Sequence, residues 1–355
     1  MKIRAARDAD HPAIARVAHE SELLTGDLDE RAFPRMLEWL YAEPPDGARL
    51  QFVAEHGERI VAHYGAVPVR YKLYDRTCIG GFASNLVIDK QHRAGMLFIS
   101  LQSHLQREYR EKEFAFVYGL ITRANVLEPH LRTGWKRIGV VPVLAKPFRF
   151  AKLAEPLLGA RALRAAARVP LAIAETGWRA AWSRGTGAIA VEQVAAFERD
   201  ADAFLAAFTA GRAIGAVRDR RALNWRFASY PERGYRIFVA RRGASVVGYA
   251  VTRRMPLKHL DALAIVDLAY DPRDAGAARA LLRRCDAESL RAGVDVAAAI
   301  VSPGSPFARG LARFGYLRTP ESFTLVVHGP NDAQPPFSER LFPDWHLTWF
   351  DHDYV

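Results

Sequence analysis

The chain has 355 residues, half of them hydrophobic and a quarter charged, with 50 Lys and Arg against 39 Asp and Glu for a formal net charge of +11. This length exceeds one typical domain of about 100 to 200 residues, and the composition excludes a disordered or fibrous chain. The positive balance suits an anionic partner such as a nucleotide, nucleic acid, acidic carrier protein or membrane surface, but arginine enrichment alone selects none of them. Cys78 and Cys285 are too far apart in sequence for a disulfide framework or a metal-ligand spacing. The opening MKIRAARDADHP has no apolar leader, and no run reaches the ~18 apolar residues of a spanning helix. A cytoplasmic protein is expected.

In chain order, KIRAA reads as a strand and DADHPAIARVAHESELL as a helix with Asp8 or Asp10 as cap. QFVAE and RIVAHYGAVPVRYKL, separated by HGE, suit a hairpin, and YDRT turns the chain into a further strand, CIGGFASNLVI. The loop DKQHRAGMLF then opens an amphipathic helix with Leu97, Leu101 and Leu105 at fourfold spacing. EFAFVYG follows as a buried strand. ANVLEPHLRTGWKRIGVVPVLAKP gives a short helix ended near Gly134 and a final strand pair. The order is that of a mixed α/β layer.

From Ala151 to about Thr186 the chain is alanine-rich, basic and broken by Pro156 and Pro170, which suits either a packed helical connector or a basic amphipathic surface. The second half repeats the outline. VEQVAAFERDADAFLAAF reads as helical and RALNWRFASYPE as irregular and aromatic. A hairpin spans YRIFVARRGASVVGYAVTRRM, and DALAIVDLAYD is a strand leading through RDAGAA into a helix. VDVAAAIV and SPFARGLARFGYLRTPESFTLVVH close it with strand, short helix and strand. Such a parallel points to duplication. Expected boundaries are 1–150, a connector 151–190, and 191–355.

Both halves resemble the GCN5-related N-acetyltransferase (GNAT) family. The carriers of the resemblance are IDKQHRAGMLF, similar to the family's V-x-P-x-x-R and R/Q-x-x-G-x-G/A signatures, FAFVYGLITRANVLEPHLRTGW, similar to its closing strand, helix and Gly-aromatic end, and RDAGAA in the second half. The resemblance implies two tandem GNAT-like α/β domains, each a mixed, mostly antiparallel sheet flanked by helices. It implies acyl transfer from acetyl-CoA or a longer acyl-CoA to an amine, with an amino sugar of polysaccharide assembly as one possible acceptor, and no metal. Unsatisfied N–H groups at a helix start form the anion site that such a pyrophosphate needs. By that correspondence, coenzyme A falls at Ile88, Arg93, Ala94, Gly95, Met96 and Leu97. Lys90, Met96 and Phe98 depart from the pattern, standing where proline, glycine and a small residue belong.

His130, four residues before Gly134, falls where many family members have a tyrosine that protonates the thiolate, and an imidazolium can act as such an acid. Tyr118 is another donor, with a core role as its alternative. Asn85 takes the place of the usual glutamate base. In the second half Asp267, among Ile265, Val266 and Leu268, is either a base sharpened by burial or a carboxylate bridging backbone groups. Trp225, Tyr230 and Tyr235 alternate with arginines, as in base-stacking surfaces or aromatic packing. Asp351, His352 and Asp353 make either a metal group or a terminal edge strand. Two rival functions remain: a Fem-like transferase using aminoacyl-tRNA, and a binding protein of the same fold without catalysis.

Overall fold

Apolar alternation in these segments is realised as one continuous mixed sheet. The structure is a computed structural model that describes residues 1–24, 29–42, 44–47, 49–93, 96–154, 170–178, 189–329 and 338–352. The first half comprises β1 (Lys2–Ala5), α1 (His11–Glu20), α2 (Ala32–Ala42), β2 (Leu50–His56), β3 (Arg59–Leu73), β4 (Arg76–Ile88), α3 (Leu97–Glu111), β5 (Phe116–Ile121), α4 (Ala124–Arg132) and β6 (Lys136–Pro147). Short helices α5 (Phe150–Ala154) and α6 (170–178) follow. The second half comprises β7 (Ala190–Val194), α7 (Asp202–Ala210), β8 (Ile214–Ala216), α8 (Arg220–Phe227), β9 (Arg236–Arg242), β10 (Ser245–Leu257), β11 (Leu260–Tyr270), α9 (Ala275–Ala292), β12 (Val296–Ile300), α10 (Pro306–Arg313), β13 (Leu317–His328) and β14 (Trp345–His346).

The strand order is β1-β2-β3-β4-β5-β13-β6-β12-β11-β10-β9-β7, with β8 on β3 and β14 on β8. Neighbours are antiparallel except β4 with β5, β11 with β12, and β8 with β14. The two halves therefore run the same order inward from opposite edges and exchange their last strands. β13 lies against β5, while β6 lies against β12. Each half thus completes the other's sheet. The exchange is anchored by Lys146 on β6, whose Nζ donates to Asp286 Oδ2 of α9 at 2.6 Å in the buried interior. Burial pulls the Lys146 pKa down and pushes Asp286 up to about 6, against the attraction of each for the other.

Four segments depart from the sequence reading. The pattern assigns no element to 25–50, yet Phe33, Met36, Leu37, Leu40 and Tyr41 make the buried face of α2. Residues 191–194, read as helical, form β7 because they pair with β9 at the sheet edge. RALNWRF, read as irregular, is helical: Asp219 caps it by accepting from the Ala222 N–H at 2.9 Å. Its Trp225 stacks on Trp39 of α2 at 5.3 Å, so the aromatic and arginine cluster packs one half against the other. Only Trp345 and His346 of the last described residues form an edge strand, β14 on β8; Trp349–Asp351 turn away from it as a short 3-10 helix. Trp345, Trp349 and Asp351 are buried, and no group of three His, Cys, Asp or Glu among the described residues is placed to hold a metal. Asp353 lies outside the described residues, and no described helix is long and apolar enough to cross a membrane.

A buried ion cluster in the second half receives a hydrogen bond from the first. Arg218, after β8, donates to Asp267 Oδ2 of β11 at 3.1 Å and to Asp351 Oδ2 at 3.0 Å, with its guanidinium over the Phe350 ring. Tyr71 of β3 donates to Asp351 Oδ1 at 3.3 Å. Tyr249 and Thr348 donate to Asp267 at 2.7 and 2.8 Å. Burial pushes the Asp351 carboxyl above its usual value, and Arg218 opposes that shift. Removing the cation strands two carboxylates without a countercharge. Arg218→Met is expected to cost about 3 to 5 kcal/mol in urea unfolding, and a loss below about 1 kcal/mol would show that the two carboxylates do not need the buried cation.

Candidate active site

The site begins where two parallel strands part. β4 and β5 pair only from Gly80 opposite Phe116 to Phe82 opposite Tyr118. Gly80 permits that contact, since a Cβ there would stand 2.7 Å from the Phe116 ring. Beyond it a bulge turns β4 away: His63 of β3 faces Val87 and Gly65 faces Ser84, which leaves Asn85 and Leu86 opposite Tyr64 alone. Asn85 has φ of 55°, in the left-handed region that asparagine tolerates better than branched residues.

Buried polar contacts hold the bulge. His63 Nδ1 donates to the Asn85 carbonyl at 2.7 Å, and the Asn85 side-chain oxygen accepts from Ser84 Oγ at 2.8 Å and Tyr41 OH at 3.2 Å. Burial lowers the His63 pKa to about 4, so the ring is neutral, and Nε2 accepts from Gln51 Nε2 at 3.2 Å. Asn85, aligned with a base position in sequence, is thus a conformational residue.

The parted strands open a cleft of about 550 Å³ that connects the two faces of the sheet. Tyr64, Ala83, Leu86, Trp135 and Val326 line it on the side packed by α3 and α4. Phe33, Met36, Phe82, Leu120, Phe323 and Trp349 line it on the opposite side, with α1 and α2. From the second half, β10 adds Arg253 and Met255, the turn after it Lys258, and β13 Glu321. Glu321 is the single carboxylate among the described lining residues, and it accepts from Lys258 Nζ at 2.5 Å. Arg123, at the start of α4, is exposed at the wall.

His130 lies in this cleft but differs from its expected form. Its Nδ1 donates to the Val126 carbonyl at 2.7 Å, its Nε2 faces Tyr64 OH at 3.3 Å, and burial lowers its pKa. The imidazole is therefore a neutral acceptor for the Tyr64 hydroxyl, not the imidazolium that the sequence reading requires. Gln102 Nε2 donates to the same hydroxyl at 3.4 Å, and Trp135 Nε1 orients Gln102 at 2.9 Å. Burial pushes the Tyr64 phenol far above its usual pKa, so it acts as a hydrogen-bond donor. Tyr118, by contrast, is buried beside Tyr71 and Phe116 in the core, away from the cleft wall.

The loop residues divide into supports and a helix start. Arg93 Nε donates to the Ile88 carbonyl at 3.1 Å and its Nη2 to the Ser21 carbonyl at 3.0 Å. It braces the ends of β4 and α1, and Ile88 is the β4 end so held. Ala94 and Gly95 lie outside the described residues. Met96 is 69% exposed at the N-cap of α3, where no side chain caps the helix, and Leu97 is buried under it. The corresponding position in the second half is occupied: Asp274 caps α9 by accepting from the Gly276 and Ala277 N–H groups at 3.1 Å. A carboxylate there competes with any phosphate for the same N–H groups. Asp267 does not reach the cleft; its oxygens are taken by Arg218, Tyr249 and Thr348, so it bridges structure instead of serving as a free base.

Tyr64, Glu321 and Arg123 were not foreseen. Tyr64 sits in an ordinary apolar strand, and its partner His130 is 66 positions away. No spacing in the sequence links them.

The whole chain finds its likeness in structure. By sequence, neither family models nor curated proteins give a match. A GCN5-related N-acetyltransferase from Anabaena variabilis superposes with a TM-score of 0.60 at 10% identity, covering 92% of this chain and 72% of the other. N-myristoyltransferase from Saccharomyces cerevisiae with bound myristoyl-CoA gives 0.61 at 11%, covering 92% and 82%. A GCN5-related N-acetyltransferase from Kribbella flavida gives 0.57 at 13%, covering 92% and 70%. The chain has the GCN5-related N-acetyltransferase fold.

The bulge is the part of this site most exposed to mutation. Asn85→Gly is expected to lose about 1 kcal/mol, for the Ser84 and Tyr41 contacts, and Asn85→Val about 1 to 3 kcal/mol more because a branched residue is strained at positive φ. Equal stability of the two variants in denaturant titration would contradict a strained bulge.

Proposed function

We propose that the chain is an acyl-CoA-dependent N-acyltransferase, built from two copies of one unit at 1–150 and 191–355 with a connector at 151–190, in which the first copy carries the reaction. The observation that supports this most is the cleft through the sheet beside an α3 start that no side chain caps. It offers a thioester and an amine access to one point from opposite faces. The second copy has Asp274 in the place of a phosphate, so coenzyme A belongs to the first.

In this reading the pyrophosphate sits at the start of α3, from Met96 to Ile99, where the first N–H groups of a helix lack intrahelical partners. Arg93 braces the loop, and its Nη1, which has no partner among the described residues, is available to a phosphate. The pantetheine enters between β4 and β5. Beyond Phe82 the β4 edge has lost its neighbour, and its main-chain N–H groups can support the thioester oxygen as charge develops. The amine nitrogen bonds to the carbonyl carbon, the C–S bond breaks and the thiolate leaves. Tyr64, whose hydroxyl proton rests on His130 Nε2, turns that proton to the departing sulfur and donates a hydrogen bond to it. Glu321 accepts the amine proton from the opposite wall. Charged Arg123, Lys258 and Glu321 at the rim suit an acceptor with polar groups beside its amine, such as an amino sugar. Apolar Phe33, Met36, Phe82 and Phe323 favour an acyl chain longer than acetyl.

Calorimetry with acyl-CoAs of increasing length tests the reading. Wild type should bind in the micromolar range, about −8 kcal/mol, and each buried methylene should add up to about 0.8 kcal/mol. Met96→Asp would install on α3 the carboxylate that Asp274 provides on α9. It should weaken binding at least about tenfold, or 1.4 kcal/mol, while leaving unfolding stability unchanged or raised. Absence of binding by wild type, or full binding by Met96→Asp, would sink the assignment.

A further inference from the structure

A second concave surface lies at the other end of α3 from the helix start, and none of its residues lines the cleft. It opens between the last two turns of α3, the start of β2 and the segment after β1, with a volume of about 680 Å³, within the roughly 300 to 1,000 Å³ of small-ligand sites. Leu50 and Phe52 of β2 give it an apolar wall, and His104 of α3 stands edge-on against the Phe52 ring. Tyr41 and Gln51, both buried, line it from the protein interior.

Three polar groups around this pocket lack a counterpart among the described residues. Arg49 gives Nη2 to Asp8 at 2.7 Å, but its Nη1 is buried and donates to nothing. The Lys112 ammonium donates to the Arg49 carbonyl at 3.2 Å and meets no carboxylate. The Glu108 carboxylate has His104 Nε2 at 3.7 Å and Arg107 Nη2 at 3.9 Å, both beyond hydrogen-bond distance. His104 does not neutralise it, since burial lowers the pKa of that ring and its Nδ1 accepts from Arg107 Nη2 at 2.6 Å. Two cationic donors are thus joined through the Arg49 backbone, and one carboxylate stands a helical turn away from Lys112.

We infer that this pocket binds a free α-amino acid with an apolar side chain, and that its occupant steadies the β4 bulge. The ligand carboxylate meets Arg49 Nη1 and Lys112, its ammonium meets Glu108, and its side chain covers Leu50 and Phe52. A ligand with a single charge would leave either the two cations or the carboxylate unmatched, and a phosphate would set its extra charge beside Asp8 and Glu108. The coupling runs through the inner wall. Tyr41 OH donates to Asn85 Oδ1 at 3.2 Å, and Gln51 Nε2 donates at 3.2 Å to His63, whose other nitrogen holds the Asn85 carbonyl at 2.7 Å. Tyr41 lies pressed on β3, where a Cβ at Gly65 would stand 2.5 Å from its hydroxyl. A ligand against Tyr41 and Gln51 restricts both, and through them the bulge, whatever reaction the cleft carries.

The test is calorimetry on the full chain with L-phenylalanine, N-acetyl-L-phenylalanine and L-phenylalaninamide, joined to hydrogen exchange of the Ala83–Val87 amides. Wild type binds L-phenylalanine about tenfold more tightly than either derivative, because each derivative lacks one charge-assisted contact. Saturation with L-phenylalanine slows exchange across Ala83–Val87. Glu108→Gln removes the preference over the N-acetyl derivative and keeps that over the amide, while Lys112→Gln reduces the preference over the amide and keeps the other. Glu111→Gln, on the exposed face of the same helix, changes neither. All three side chains reach solvent, so the variants keep the fold. Four results overturn the assignment: no binding of L-phenylalanine, equal binding of the three compounds, the same loss in Glu111→Gln, or binding that leaves exchange at Ala83–Val87 unchanged.

Discussion

The proposed acyl transfer depends on β4 leaving β5. A continuous sheet would present an unbroken wall of paired N–H and C=O groups, with no route from one face to the other. One residue at positive φ, Asn85, turns the strand, and a neutral buried histidine holds the turned carbonyl. Burial matters twice here. It keeps His63 uncharged, which makes it a fixed donor at one nitrogen and an acceptor at the other, and it makes the contacts expensive to lose. The parting is therefore a specified feature and not a frayed strand end.

The exchange of β6 and β13 gives the parting its walls. Because β13 comes from the second half to lie beside β5, Glu321 and Phe323 reach a cleft that opens in the first half. The hydrogen bond from Tyr71 to Asp351 of the Arg218 cluster and the Lys146–Asp286 pair tie the halves at two other places. Neither half encloses the cleft alone. A chain built this way can lose an anion site in one copy and keep its structural contribution, which is how we interpret Asp274 on α9 beside the exposed Met96 on α3.

Much of the fold was legible in the sequence. The β2–β3 hairpin, the α3 stripe of Leu97, Leu101 and Leu105, and the β5–α4–β6 run with positive-φ Gly134 are all local patterns, and local patterns survive folding. The helical face of α2 was equally present at Phe33, Met36, Leu37, Leu40 and Tyr41, but no cap or breaker drew attention to it. The misread segments are those where long-range pairing outweighs propensity: residues 191–194 are a strand only because β9 is beside them. The candidate site was legible in outline alone. Strand, loop and helix marked the position of the cleft, but His130 was separable from its partner Tyr64 by nothing less than the folded chain. Asp267 looked like a base because its neighbours are apolar, and those neighbours bury it with an arginine from 49 positions earlier.

The central claim is that the acyl chain enters the gap between β4 and β5 of the first half. An acyl-CoA with a photoreactive diazirine on its chain, followed by peptide mapping, tests this directly. Label on Phe82–Val87 and Gly119–Arg123 is the predicted result. Label confined to the loop and helix around Asp271–Arg283, or spread evenly over the surface, would contradict it.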